Sequence, residues 1–120
     1  MTEKEVKSVL INKLNFSQDS LYKIDIFCQE VIEYNKKFNL IAKSTIKDIW
    51  DRHVLDSAQL IKFINFKDYS SVSDLGTGAG FPGIVLAIFN KNKAMLFIMA
   101  LNIVLVLSDF TYTTLVLSSE

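Results

Sequence analysis

Apolar residues recur at helical spacing through the first half of the chain, and that rhythm breaks sharply near residue 71. Val6, Val9, Leu10 and Leu14 make a stripe that predicts a first helix over residues 2–14. Thr2 and Glu5 stand at its start with capping-box spacing. A polar break follows, and Ser17 offers an N-cap for a second helix. There Leu21, Ile24, Phe27, Cys28, Val31, Ile32 and Tyr34 build one apolar face, while Lys23, Glu30, Glu33 and Lys37 take the other. Residues 35–44 read as a connection with Phe38, Leu40 and Ile41 turned inward. Thr45, with Asp48 after it, reads as a cap for a further helical stretch holding Ile46, Ile49, Trp50, His53 and Val54, and residues 56–63 as another short helix.

Beyond residue 70 the grammar changes. Residues 71–75 form a short run bounded by turn residues, as a strand does. Gly76, Gly78, Gly80 and Gly83, all four glycines of the chain, follow at once, together with its single proline, Pro82. Pro82 suits a first helical turn, and Ile84, Val85, Leu86, Ile88 and Phe89 continue a helix. Strand, glycine turn and helix bring bare backbone N–H groups against a ligand. Such a loop suits S-adenosylmethionine, and it equally suits a pyrophosphate.

Several patterns overlap in the loop. Gly78, Gly80 and Gly83 match the G-x-G-x-x-G of dinucleotide-binding domains. That pattern calls for an acid about twenty residues further on, but the first acid after the loop is Asp109. No Lys-Ser or Lys-Thr follows the glycines, which excludes a P-loop. The fuller D-x-G-x-G-x-G spacing, starting at Asp74, resembles the first motif of Rossmann-like S-adenosylmethionine-dependent methyltransferases.

Composition narrows this picture. Half of the residues are apolar, enough for a core in one small domain, and 13 basic residues balance 13 acidic ones. Zero net charge gives no global attraction to nucleic acid or membrane. Cys28, the single cysteine, cannot form an internal disulfide and reads as a small core residue. The mixed-charge N-terminus is neither a signal nor a transit peptide, so the cytoplasm is expected. His53 is the single histidine, and no metal cluster accompanies it. Lys36, Lys37, Lys43, Lys47 and Arg52 make a mildly basic stretch, diluted by Glu33, Asp48 and Asp51 and better read as a solvated face than as an RNA contact. After Asn92 the chain is almost uncharged, and residues 94–107 are apolar except for Asn102. That run is shorter than the roughly twenty residues of a membrane span, so no membrane span is expected.

Three motifs stand in order: Tyr34-Asn35-Lys36-Lys37-Phe38-Asn39-Leu40, then Asp51-Arg52-His53-Val54-Leu55-Asp56-Ser57, then Asp74-Leu75-Gly76-Thr77-Gly78-Ala79-Gly80-Phe81-Pro82-Gly83. Together they resemble the GidB/RsmG family, the ribosomal RNA small subunit methyltransferases G. The resemblance implies an α/β fold, with a helical region over residues 1–70 and the first strand, glycine loop and helix of a methyltransferase domain over residues 71–92. It implies S-adenosylmethionine as methyl donor, N7 of a guanine in 16S ribosomal RNA as acceptor, and the small ribosomal subunit as partner. Gly76 and Phe81 would contact the cofactor, Gly78 and Gly80 would shape the loop, and Asp74 would orient it. Arg52, His53, Asp56 and Ser57 are expected to face the cofactor region on the substrate side. Asn39 is a further candidate there, or else a buried amide bonded to backbone. No catalytic base stands out, in keeping with an acceptor nitrogen that already carries a lone pair.

The resemblance ends at about Asn92. Residues 93–120 show no acid where the family places a ribose clamp, and the change of composition predicts an out-of-frame tail, an incomplete domain and an inactive chain. The competing functions are an NAD(P)-type binding fragment and a noncatalytic helical interaction fragment.

Overall fold

The computed structural model describes residues 1–67, 71–75, 78–90 and 94–98. Helix α1 spans Glu3–Leu14 and α2 spans Gln18–Phe38. The Thr2 hydroxyl accepts the Glu5 N–H, and the Glu5 carboxylate accepts the Thr2 N–H at 2.7 Å, so the capping box forms in full. Ser17 caps α2 by accepting the Ser20 N–H at 3.0 Å. That bond satisfies a donor left open by helix geometry. Ser17→Ala is therefore expected to lower stability by about 1 kcal/mol, read as a shift in the urea midpoint.

Helix α2 runs further than the apolar pattern implies. It continues to Phe38 and ends on Asn39, whose left-handed backbone (φ 47°) reverses the chain. Asn tolerates this conformation better than most residues. The extension turns Phe38 outward, leaving it 45% exposed rather than tucked inward, while Ile41 is buried as expected. The buried amide of this region is Asn35, whose Oδ1 accepts the Ile41 N–H at 2.8 Å; Asn39 itself is exposed.

The next stretch is not one regular helix. A 3₁₀ helix covers Lys43–Asp48, a π-helical turn covers Trp50–Leu55, α3 covers Asp56–Ala58 and a second 3₁₀ turn covers Gln59–Lys62. Thr45 does not cap a helix here. Ala42 precedes the first 3₁₀ helix without a side-chain cap, and the Thr45 hydroxyl donates back to the Ala42 carbonyl. Buried Trp50 and Val54 hold the π turn against the core, and the Lys7 ammonium of α1 lies 4.5 Å from the centre of the Trp50 ring.

Strand β1 spans Ser71–Leu75, α4 spans Gly83–Phe89 and β2 spans Ala94–Ile98. β1 and β2 pair in parallel, with Ser71 opposite Ala94 and Leu75 opposite Ile98. Parallel neighbours need a crossover between them, and α4 lies within that connection. The apolar run after Lys93 thus begins as a partner strand for β1.

One core joins these elements. Val6 and Leu10 of α1, Ile24, Phe27, Cys28 and Val31 of α2, Trp50 and Val54, and Ile84, Val85 and Ile88 of α4 are all buried in it. Burial raises the Cys28 thiol well above its ordinary range, so it behaves as a core residue. The Phe16 and Phe89 rings meet at 4.8 Å, and the Ser20 hydroxyl donates to the Ile88 carbonyl at 3.4 Å. These contacts dock α4, and with it the glycine loop, on α2. Among the described residues no helix is long and apolar enough to cross a membrane.

Candidate functional site

The loop between β1 and α4 is tied at both ends. Asp74, in the strand, reaches across it and accepts the Gly83 N–H at 2.8 Å through Oδ2. Gly83 is the first residue of α4, where N–H groups lack helical partners and negative charge is favoured. The acid that opens the motif thus closes the loop.

The two described loop glycines play different parts. Gly80 has φ +99°, and a Cβ there would clash with the Ile84 side chain and stand 3.4 Å from Phe27 Cζ. It is a packing glycine, pressed on the core. Gly78 has φ +57°, but a Cβ there would meet no heavy atom within 4 Å. Its bare backbone adjoins open space, as a loop that receives a ligand requires. Gly76 lies outside the described residues.

Phe81 sits where the loop meets the helical region. Its ring lies 4.8 Å from the Phe27 ring and 5.1 Å from the His53 imidazole. Arg52, His53, Asp56 and Ser57 line a shallow cleft of about 260 Å³ together with Leu60, Phe81 and Pro82. The π turn and α3 supply the first four residues, and the glycine loop supplies the aromatic wall. Segments about thirty residues apart in sequence meet there. Asn39 does not line this cleft. Leu60 and Pro82 join the cleft without having stood out as site residues. Neither carries a polar group, so only the fold reveals them.

Within the cleft, His53 is half-buried and its Nε2 lies 2.8 Å from Thr45 Oγ1. The Ser57 hydroxyl donates to the His53 carbonyl. Thr45 is eight positions before His53, about 12 Å along a regular helix and too far for a side-chain contact, so the sequence pattern does not announce the pair. Burial holds the imidazole pKa below its ordinary value; Asp56 pulls it up and Arg52 adds to the lowering. The unfolded chain therefore binds the proton more readily than the folded one. Stability gained from His53 is present above about pH 6.5 and is lost as pH falls toward the lowered folded value. His53→Asn is expected to remove that part of the acid dependence, measured as the difference between variant and parent urea midpoints on either side of about pH 6.5.

No group of His, Cys, Asp and Glu among the described residues forms a metal site. Lys36, Lys37, Lys43, Lys47 and Arg52 are all exposed, and Lys36 pairs with Glu33.

Comparison with known proteins adds an independent line. A family described as GidB, rRNA small subunit methyltransferase G, matches residues 20–102, which includes β1, α4 and β2 and runs past Asn92. A protein of Rickettsia akari called ribosomal RNA small subunit methyltransferase G is 43% identical over 83 residues, covering 69% of this chain and 43% of the relative. Proteins of the same name from Rickettsia typhi and Rickettsia rickettsii are 46% identical over 76 and 71 residues, covering 63% and 59% of this chain. The matched stretch spans less than half the length of each of these relatives, 43%, 39% and 37% of them. With a family match over most of its length, the chain belongs to the GidB family of ribosomal RNA small subunit methyltransferases G.

Proposed function

We propose that residues 74–83 form the methionine-side wall of an S-adenosylmethionine site, in a Rossmann-like α/β domain that methylates N7 of a guanine in 16S ribosomal RNA. The carrying observation is the contrast between the loop's two described glycines. Gly80 is pressed on Ile84 and Phe27, while Gly78 adjoins open space. The positive φ of Gly78 serves the turn itself, and the open space beside it is what leaves room for a ligand. The family match and the names of the relatives support methylation of small-subunit ribosomal RNA, the coarser part of this reading.

Each residue then has a part. Asp74 holds the loop shut through Gly83 N–H. Gly78 and Gly76 let the loop backbone approach the ligand, and Phe81 offers an apolar wall. Arg52, His53, Asp56 and Ser57 lie on the substrate side of that wall. The bound cofactor supplies an electrophilic methyl group on a sulfonium. Guanine N7 carries a lone pair, so the chain need not remove a proton from it. What the protein contributes is alignment of acceptor and donor and the exclusion of water. The substrate partner is the small ribosomal subunit, and the compartment is the cytoplasm. Residues beyond those described would supply the contacts to ribose and adenine.

The parallel pairing of β1 with β2, with α4 between them in the chain, supports this reading, because a Rossmann-like sheet is built from such units. A dinucleotide site is the alternative that shares this geometry. Calorimetry separates the two. Residues 1–102, joined to the remainder of a relative, are expected to bind S-adenosylhomocysteine and to show no heat with NAD. Preference for NAD would overturn the reading.

A further inference from the structure

The Thr45 hydroxyl makes two short contacts and has one hydrogen to give. Its Oγ1 lies 2.8 Å from the Ala42 carbonyl oxygen and 2.8 Å from His53 Nε2. A carbonyl oxygen only accepts. The first contact is therefore a hydrogen bond only if the threonine proton lies between the two oxygens. Oγ1 then meets Nε2 with a lone pair, and Nε2 must carry a hydrogen. The opposite assignment has the hydroxyl donate to a bare Nε2. It leaves oxygen lone pairs facing each other at 2.8 Å and makes one hydrogen bond where two are available. The Thr45 backbone N–H also donates to the Ala42 carbonyl, at 2.9 Å. This anchors the residue and keeps its hydroxyl beside that oxygen.

We infer that Thr45 is a positioning residue that fixes His53 as the Nε2–H tautomer, leaving Nδ1 as a hydrogen-bond acceptor for the ligand of the cleft. A ring held this way meets an incoming group with a lone pair. It would repel a carbonyl or a second lone pair and favour an N–H. Burial, which disfavours the imidazolium, keeps the ring in the neutral form that this requires.

The use of the acceptor rests on the methyltransferase reading above. Guanine carries its N1–H and amino donors on the edge away from N7, so a base held by that edge leaves the reacting nitrogen turned toward the methyl donor. Adenine turns a lone pair at N1 toward the same position, and its N6 amino group reaches Nδ1 only if the base shifts along that edge. His53 thus favours guanine in that pose without touching the atom that reacts.

The chain's single histidine makes the tautomer directly readable. The full chain, labelled with ¹⁵N-histidine, is examined by two-bond proton–nitrogen correlation near neutral pH. The expected spectrum shows Nε2 as the protonated nitrogen and Nδ1 as the bare one. Thr45→Val is expected to bring in the Nδ1–H form, and Thr45→Ser to restore the parent pattern. A parent spectrum with the proton on Nδ1, or a Thr45→Val spectrum identical to the parent, would overturn the role of Thr45. Guanosine monophosphate is then expected to shift Nδ1 where adenosine monophosphate does not. Equal shifts, or none with either, would overturn the guanine-edge contact. The tautomer measurement needs no cofactor, so it stands or falls apart from the calorimetric test with S-adenosylhomocysteine.

Discussion

Gly80→Ala is expected to destabilise the chain by about 2–4 kcal/mol, the largest effect of any loop substitution. Two causes combine. A backbone φ of +99° is one that L side chains rarely adopt, and forcing it costs about 1–3 kcal/mol. The added methyl would also press on the Ile84 side chain, with Cγ1 at 3.1 Å, and would touch Phe27 Cζ at an ordinary contact distance of 3.4 Å. The clash is with the movable end of the Ile84 side chain, so overfilling adds about 1 kcal/mol, the low end of its usual cost. The Ile84 rotamer can give way, which sets the lower end of the range. Gly78→Ala is the informative partner. Its φ of +57° is left-handed but its surroundings are open, so backbone strain alone remains, about 1–2 kcal/mol. The two variants should therefore separate in urea unfolding. Equal midpoints would mean that Gly80 is not packed as described.

Asp74→Ala is expected to lower stability by about 1.5–3 kcal/mol, the usual worth of a hydrogen bond to a charged group. It removes the acceptor of the Gly83 N–H and with it the tie between β1 and the first residue of α4. The loop would then lose its fixed span. In a chain completed with a relative's remaining half, affinity for S-adenosylhomocysteine should fall at least about tenfold, since about 1.4 kcal/mol of lost preorganisation is enough for that. Asp74→Asn keeps an oxygen at the same place and should lie between the two. Unchanged stability and affinity in Asp74→Ala would show that the loop holds its shape without the carboxylate.

The residues that announced themselves in the sequence act over short spans. Thr2, Glu5 and Ser17 cap their helices as their spacing implies, because a cap and its target lie within one turn. The glycine loop was legible for the same reason, since four glycines crowded into one short stretch mark a backbone that has to run bare. The stretch at 43–62 was harder to read. Its apolar spacing looks helical, but 3₁₀ and π turns break it and change the pitch, while Trp50 and Val54 are still buried. Phe38 reads as a core residue and is exposed because α2 continues one turn past Tyr34. The Thr45–His53 contact and the Phe27–Phe81 contact depend on tertiary geometry and have no signature in spacing. The apolar run after Lys93 reads as foreign to the family. Its opening residues pair with β1, and the family match extends through them to residue 102.

Methyl transfer to unmethylated small ribosomal subunits is the most direct measurement of what the loop and the cleft do together. Residues 1–102, joined to the remainder of a relative, would be incubated with labelled S-adenosylmethionine and the subunits. The expected result is label at N7 of a guanine in 16S ribosomal RNA, strongly reduced by Asp74→Ala and by Gly80→Ala. A completed chain that folds and binds S-adenosylhomocysteine, yet places no label on guanine N7, would contradict it.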